Sequence, residues 1–246
     1  MIFCAVVFSS LLLVSSCGST GTTTQQTRTV KNYDWSPPST AKAKSSDVTL
    51  ILVRPSFGKE FKDEKEPIFK RFRDNMGIDF EEMLVARGYS IRGPFSSYDE
   101  IVFKDKQDAD LLMKVEIDFT YEAEQGAMKA SADLAAAMFG KKAYKYSLDG
   151  NLFVGGKINI IVYEPSTQEK LWIKSIPLED KTVYLKTKKY SRKSDCFNDP
   201  GYLNAMQTAL DEYYQSSMNL GWKYLEPAEL KQLKKQVQAI RKKKTY

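Results

Sequence analysis

The amino-acid sequence predicts an α/β fold of the α+β type: a mixed, largely antiparallel sheet packed against helices, with a long C-terminal helical segment. An uninterrupted apolar run at residues 48–53 is typical of a strand buried on both faces. Large apolar residues then recur at gaps of 3, 4, 4 and 3 from Phe69 to Met83, which is the spacing of a helix with one buried face. Residues 113–121 alternate between apolar and polar, which predicts a strand with one face in solvent.

The first half of the predicted domain follows a strand–helix–strand–helix order. Pro67 suits the first position of the helix, and Gly88 can cap its end. Residues 89–91 then predict a short strand. Ser97 and Glu100 have the spacing of a capping box, which predicts a helix that reaches about Lys106.

The second half predicts antiparallel pairing. The alternating strand at 113–121 is expected to be antiparallel or at an edge, because one of its faces is polar. Strands at 157–164 and 170–176 flank five residues rich in turn formers, which is typical of a hairpin. The Ala- and Met-rich stretch at 123–140 fits a helical insertion, a mobile lid or a packing surface of small residues, and packing is favoured.

The C-terminal third predicts two helices after a polar, basic loop at 186–200. The first covers about 202–222. The second starts at Pro227, and its apolar residues keep helical spacing between Lys and Gln residues, at Leu230, Leu233, Val237 and Ile240. The predicted organisation is therefore a signal at 1–16, a tether at 17–46, a single α/β domain at 47–226, and a basic amphipathic helix and tail at 227–246.

The N-terminal signal is an uncharged apolar run that ends in Val-Ser-Ser before Cys17. It is shorter than the ~20 residues of a membrane-spanning helix and matches an export signal. Val-Ser-Ser-Cys also resembles the lipobox of bacterial lipoproteins. That resemblance implies cleavage before Cys17, diacylglycerol on its sulfur and acylation of its new amino group.

Cysteine use and composition agree with an anchored chain. Cys4 would leave with the signal and Cys17 would carry lipid, so that only Cys196 remains; the alternative is an unprocessed chain with a Cys17–Cys196 disulfide. The tether is rich in Ser, Thr, Gln and Pro, and its only large side chains are Tyr33 and Trp35. Such a composition predicts a flexible coil that spans roughly 30 Å.

The distribution of charge along the chain bears on how the protein attaches to a surface. The net charge of +6 divides into +3 on residues 1–46 and +7 on residues 231–246, which leaves −4 for the residues between them. The cationic tail can dock on phosphates of an anionic envelope surface or simply be a solvated helix end, and the solvated end is favoured. A mildly acidic body on an exported chain disfavours nucleic acid as a partner.

Chemical motifs are scarce. The sequence has no His, which excludes Ser/His/Asp and Cys/His nucleophiles and His-containing zinc sites. It also has no CxxC and no glycine-rich phosphate-binding motif. A carboxylate pair such as Glu81 with Glu82 can in principle act on a sugar, but among 31 acidic residues such a pair is not specific. We therefore predict a protein that is not an enzyme and has no cofactor or metal.

A family resemblance rests on three segments: ILVRPSF at 51–57, RGY at 87–89 and INIIVYEPS at 158–166. Their sequence and order resemble the neuraminyllactose-binding haemagglutinin family of bacterial lipoproteins, over about residues 50–225. The resemblance implies a lipoprotein of the outer membrane and an adhesin for sialylated sugar. The basic run proposed to bind sugar in that family differs in length and spacing from residues 140–145 here.

The candidate contacts to a ligand or surface are five basic or aromatic residues: Lys141, Lys142, Lys145, Tyr190 and Arg192. Tyr184 and Tyr190 beside the basic loop can stack on a sugar ring while a cation pairs with a carboxylate, but a solvated loop is the favoured interpretation. Lys141, Lys142 and Lys145 belong to the run that differs from the family pattern.

Two functions stay open. One is a surface-exposed module that binds glycan; the other is a structural or envelope-assembly lipoprotein that faces the periplasm. Gly18, in place of Asp, agrees with sorting to the outer membrane, and the absence of acidic residues at 19–22 favours the periplasmic face. The sequence leaves the oligomeric state open.

Overall fold

The computed structural model describes residues 32–38, 44–123 and 147–244. Over these residues the chain forms one mixed sheet of six strands together with five α-helices, which confirms the predicted fold class. The strands are β1 (Thr49–Val53), β2 (Ser56–Phe57), β3 (Ser90–Phe95), β4 (Leu111–Ala123), β5 (Asp149–Tyr163) and β6 (Lys170–Lys186). Their order is β3-β1-β4-β5-β6, and β2 pairs with β4.

The helices cover the two faces of the sheet unequally. They are α1 (Pro67–Ala86), α2 (Phe103–Asp108), α3 (Lys193–Phe197), α4 (Pro200–Tyr224) and α5 (Pro227–Lys244). Helices α1 and α4 bury their apolar stripes in the larger core on one face, and α5 joins it through Leu230, Leu233 and Val237. On the other face, β1 and β4 pack with Ile101 and Ala109 beside α2 in a smaller core.

The parallel part of the sheet is centred on β1. Strands β3 and β4 pair with β1 on either side, both parallel to it. Residues Leu50 to Val53 are buried, because α1 and α4 cover one face and α2 covers the other, which confirms the prediction for this strand. We call the edge of the sheet at the carboxyl ends of the parallel strands the upper end, and the opposite edge the lower end.

The antiparallel part consists of β4, β5 and β6. The predicted polar face of β4 is confirmed. Met113, Val115 and Ile117 are buried, while Lys114, Glu116 and Asp118 between and after them are partly exposed. However, β4 is not an edge strand; it lies between β1 and β5 and is antiparallel only to β5. The predicted hairpin is formed by β5 and β6, and both strands are longer than predicted.

A bulge explains why the full length of β5 escaped prediction. The register between β5 and β6 shifts at Gly156, whose φ of +129° belongs to a conformation that other residues rarely adopt. A Cβ at this position would lie 2.0 Å from the carbonyl oxygen of Asp118. The shift interrupts the alternation on which a strand prediction depends.

Two local predictions were wrong. Ser97 makes no capping hydrogen bond with its side chain, and Tyr98–Glu100 is a short 3-10 helix separate from α2. The chain is extended at Ile101, whose side chain fills the smaller core and thereby separates the two helices. The loop predicted at 186–200 contains α3, because Cys196 and Phe197 are buried in the larger core.

Part of the predicted tether packs against the body. Tyr33 stacks on Tyr214, with ring centroids 5.1 Å apart, and Trp35 lies 6.1 Å from Trp222. The Trp35 Nε1 donates to Asn219 over 2.9 Å. Both aromatic side chains are buried, so this stretch is part of the folded body and does not behave as a free coil. The stretch at 124–146, which includes most of the Ala- and Met-rich segment, lies outside the described residues.

Candidate functional site

The lower end of the sheet is closed by α5. Helix α4 descends to Tyr224, and α5 then crosses beneath the strands, where the Lys234 Nζ lies 3.0 Å from the Asp110 carboxylate. The Asp110 carboxylate also accepts from the backbone N–H of Thr49, at the start of β1. Charged side chains at this end therefore hold the helix against the sheet.

Arg241 makes several of the hydrogen bonds that hold α5 against the sheet. Its Nε donates to the Glu164 carboxylate over 3.0 Å. Its other nitrogens donate to three carbonyl oxygens at the end of α2, those of Lys106, Gln107 and Ala109, at 2.8–3.1 Å. A guanidinium suits the carbonyl groups at a helix C-terminus, which carry partial negative charge. Arg241 thus serves the fold and is not part of a solvated helix end.

Glu164 is buried beneath this arginine, with 1% of its side chain exposed. Burial by itself opposes ionisation, but hydrogen bonds from Thr167 and the Arg241 guanidinium outweigh it and hold the pKa of this carboxyl below its ordinary value. Its oxygen also accepts from the backbone N–H of Ser166 over 2.8 Å. The carboxylate therefore ties the β5–β6 turn to α5.

The upper end is open and contains a cleft of about 550 Å³. The cleft is lined by residues after β1, at the end of β3 and along α1: Arg54, Pro55, Ser56, Phe57, Glu64, Arg73, Asp74, Gly77, Ile78, Glu81, Pro94 and Ser96. Ligand sites in α/β sheets lie at the carboxyl ends of strands where the chain crosses from one side of a strand to the other. The chain passes from β1 to β3 on one side and then to β4 on the other, so the cleft lies at such a point.

Close packing of α1 against the β1–β2 turn shapes the cleft wall. Gly77 faces Pro55, and a Cβ on Gly77 would lie 3.1 Å from the Pro55 Cδ. Such a contact is tighter than ordinary van der Waals distance, so a side chain here would push the turn away from the helix. The small residue keeps one side of the cleft apolar and narrow, beside Ile78, whose side chain is 58% exposed.

The charged groups of the cleft divide into paired and unpaired. The Arg73 guanidinium pairs with the Asp74 carboxylate over 2.8 Å. In contrast, within the described part of the chain no hydrogen bond or ion pair engages the side chains of Arg54, Glu64 and Glu81. One guanidinium donor and two carboxylate acceptors therefore line an open cleft with apolar walls, an arrangement that can hold a ligand rich in hydroxyl groups.

Two of the residues predicted from the sequence, Tyr190 and Arg192, lie in the described part of the chain, and both bind partners in their own loop. The Tyr190 hydroxyl donates to the Asp199 carboxylate over 2.8 Å, and burial together with this bond raises the pKa of Tyr190 to about 12. Asp199 in turn caps α4 by accepting from Gly201. Arg192 pairs with Asp195, three residues further on, over 2.9 Å. Both predicted contacts therefore hold their own loop together.

The remaining predicted site residues, Cys17, Lys141, Lys142 and Lys145, lie outside the described residues. Cys196 is a free, buried thiol. None of the helices in the described ranges has the length and apolar character needed to cross a bilayer.

Sequence reasoning missed Arg54, Glu64 and Glu81. The signal that could have found Arg54 is its position immediately after a strand buried on both faces, where ligand-binding residues of α/β folds concentrate. Glu81 is one of 31 acidic residues, and its sequence context does not distinguish it from the others. Nothing in the sequence distinguishes Glu64 from the other charged residues around it.

The comparisons with known proteins bear on the fold of the chain. Neither a protein-family model nor a curated protein matches the chain by sequence. Among solved structures, the chain is similar to a neuraminyllactose-binding haemagglutinin homologue from Helicobacter pylori, with a TM-score of 0.54 at 14% identity over 83% of this chain and 97% of that one. The chain therefore shares the mixed α+β fold of that protein.

Two further similarities are weaker. A Xanthomonas campestris protein of the DUF330 family gives a TM-score of 0.34 at 11% identity, over 83% of this chain and 96% of that chain. Lipoprotein GNA1162 from Neisseria meningitidis gives 0.28 at 10% identity, over 68% of this chain and 96% of that chain.

Proposed function

We propose that this protein is a non-catalytic lipoprotein of the outer membrane, of the neuraminyllactose-binding haemagglutinin type, and that its upper cleft binds glycan. The observation that carries the proposal is the cleft itself, in which Arg54, Glu64 and Glu81 present unpaired charged groups beside apolar walls. Its volume of about 550 Å³ is in the range of small-molecule sites. The shared fold and the lipobox-like sequence at Cys17 support the rest of the proposal.

The chemistry of the cleft suits a sugar. Sugar hydroxyls both donate and accept, so carboxylates at Glu64 and Glu81 and a guanidinium at Arg54 can each bind them. The C–H faces of a pyranose ring can pack on apolar side chains such as Ile78. A guanidinium also binds a carboxylate through two parallel hydrogen bonds, so a sialylated sugar is the expected ligand.

A glycan array tests the cleft. The wild-type protein is expected to bind sialylated glycans above neutral ones, and Arg54→Gln is expected to abolish that difference. Arg54→Lys is the matched variant, because it keeps the charge but loses the two-fold hydrogen bonding and should retain only part of the binding. Equal, background binding of sialylated and neutral glycans by the wild type would refute glycan binding by this chain.

Mass spectrometry tests the lipid anchor separately. The mature protein is expected to begin at Cys17 and to carry the mass of a diacylglycerol and an additional acyl chain, which together make anchoring stable. Cys17→Ala should yield an unacylated chain. An unchanged acylated mass in that variant would show that the anchor lies elsewhere.

A second function is supported by the residues that follow Cys17. Residues 19–22 include no acidic side chain, which favours the periplasmic face and a structural or envelope-assembly role without sugar binding. Protease treatment of intact cells distinguishes the two functions. A chain that becomes sensitive only after the outer membrane is lysed faces the periplasm, and the adhesin role would then be wrong.

A further inference from the structure

The outward face of α5 carries a stripe of lysines. Lys235 follows Lys231 by about one helical turn, and Lys242 follows Lys235 by about two turns. The three lysines therefore lie on one side of the helix, over roughly 16 Å. All three are exposed, whereas Leu230, Leu233 and Val237 are buried in the core on the opposite side. We call Lys231, Lys235 and Lys242 the lysine stripe.

The body of the protein fixes the direction of this stripe. The buried residues of α5 pack against the sheet, and Lys234 and Arg241 on the flanks of the helix bind Asp110 and Glu164. The helix therefore cannot rotate to bring its lysines inward. The stripe points down and away from the sheet, at the end opposite to the cleft.

The lysines of the stripe have no partner of their own. No hydrogen bond or ion pair engages the side chains of Lys231, Lys235 and Lys242 within residues 32–38, 44–123 and 147–244. Residues 231–246 contain seven basic residues and no acidic one. Lys234 and Arg241 on the flanks pair with carboxylates of the body, whereas the side chains of the lysine stripe carry charge that the described part of the body does not neutralise.

From these observations we infer that the lysine stripe docks the lower end of the protein on the anionic headgroups of a bilayer. The inference rests on the proposed attachment to a membrane, which makes lipid phosphates the nearest extended anionic surface. A flat array of lysines on a rigid helix matches such a surface, and each lysine near it contributes about a fivefold gain in binding. The cleft at the upper end would then face away from the bilayer.

The geometry of the N-terminal segment permits this orientation. The described chain begins at Asn32, which accepts a hydrogen bond from Arg71 over 3.2 Å in the upper half of α1. That point is roughly 24 Å along α1 from its lower end near Arg87. Residues 17–31, if fully extended, reach up to about 50 Å. An anchor at Cys17 and the lysine stripe can therefore reach the same bilayer.

Binding to lipid vesicles tests the inference on the full chain carrying Cys17→Ser, so that no lipid is attached. One set of vesicles is phosphatidylcholine alone, and in the other part of it is replaced by phosphatidylglycerol. The neutral vesicles measure any contribution of the apolar N-terminus, and the ratio of the two affinities measures the preference for anionic lipid. This ratio is expected to be on the order of a hundred or more and to fall as salt is raised.

The decisive variant is Lys231→Gln/Lys235→Gln/Lys242→Gln. It is expected to lower the preference for anionic vesicles by roughly a hundredfold. The matched control, Lys65→Gln/Lys188→Gln/Lys189→Gln, removes the same charge from exposed lysines elsewhere and should lower it far less. Circular dichroism and thermal unfolding establish that both variants are folded.

Three results would overturn the inference: no preference for anionic vesicles in the wild type, an equal loss in the control variant, or binding to duplex DNA without binding to vesicles. Each of them is independent of the proposed function. Acylation of Cys17 and glycan binding at Arg54 are measured in other experiments and do not require the lysine stripe.

Discussion

The two ends of the sheet use the same types of charged residue in opposite ways. At the lower end, Arg241 and Lys234 bind carboxylates and backbone carbonyl oxygens that belong to other elements. At the upper end, Arg54 and Glu81 have no partner among the described residues, although both border the same cleft. Charge at the lower end therefore maintains the fold, while charge at the upper end is available to a ligand.

Burial accounts for the difference. Glu164 is almost fully enclosed, and a buried carboxylate is stable in its ionised form only if hydrogen bonds or an opposite charge compensate for the loss of water. Arg54 is exposed and remains hydrated, so that its guanidinium is stable without a partner. Substitutions at the two ends should therefore differ mainly in what they do to stability.

The largest effect is expected for Arg241→Ala. This substitution leaves Glu164 buried without its guanidinium and removes donors from three carbonyl oxygens, so it should lower the free energy of unfolding by about 2–3 kcal/mol. Urea denaturation measures the change. Lys242→Ala is the matched control one residue further along the same helix, and it should change stability by less than about 0.5 kcal/mol.

An Arg241→Ala variant as stable as its control would mean that the lower end does not depend on this contact. The charged residues at the two ends of the sheet would then differ only in how far their side chains are exposed to solvent.

The next effect is a pH dependence at the same contact. Because the pKa of Glu164 is lowered in the folded state, its contribution to stability is present above the ordinary glutamate pKa of about 4.3 and is lost as the pH falls through the lowered value. In Arg241→Ala that pKa is lowered less. The stability difference between wild type and variant should therefore shrink as the pH falls from about 7 to about 3.

Urea denaturation at a series of pH values measures this convergence. A difference that stays constant over the whole range would show that Arg241 stabilises the fold through its backbone contacts and not through the ionised carboxylate.

Much of the fold could be predicted from periodicity alone. Helices α1, α4 and α5 and strand β4 are long enough for one buried face to repeat several times, so local spacing was sufficient. The full length of β5 was not predictable, because the bulge at Gly156 interrupts its alternation. Burial of Tyr33 and Trp35 also escaped prediction, since it depends on a surface formed by α1 and α4, far away in the sequence.

The candidate site was less predictable than the fold. Composition drew attention to the basic loop, but Tyr190 and Arg192 bind Asp199 and Asp195 in that loop, a pairing that composition does not indicate. The cleft depends on β1 lying between two parallel strands. That strand order depends on the path of the whole chain, so it cannot be predicted from the short segment around Arg54.

The smallest effect on stability is expected at the upper end, for the triple variant Arg54→Gln/Glu64→Gln/Glu81→Gln. These side chains have no partner in the described structure, so removing their charges should change the free energy of unfolding by less than about 0.5 kcal/mol. Urea denaturation tests this, and the glycan array shows whether binding is lost in the same folded protein. A loss of stability as large as that of Arg241→Ala would mean that the cleft charges also maintain the fold, and the contrast between the two ends would fail.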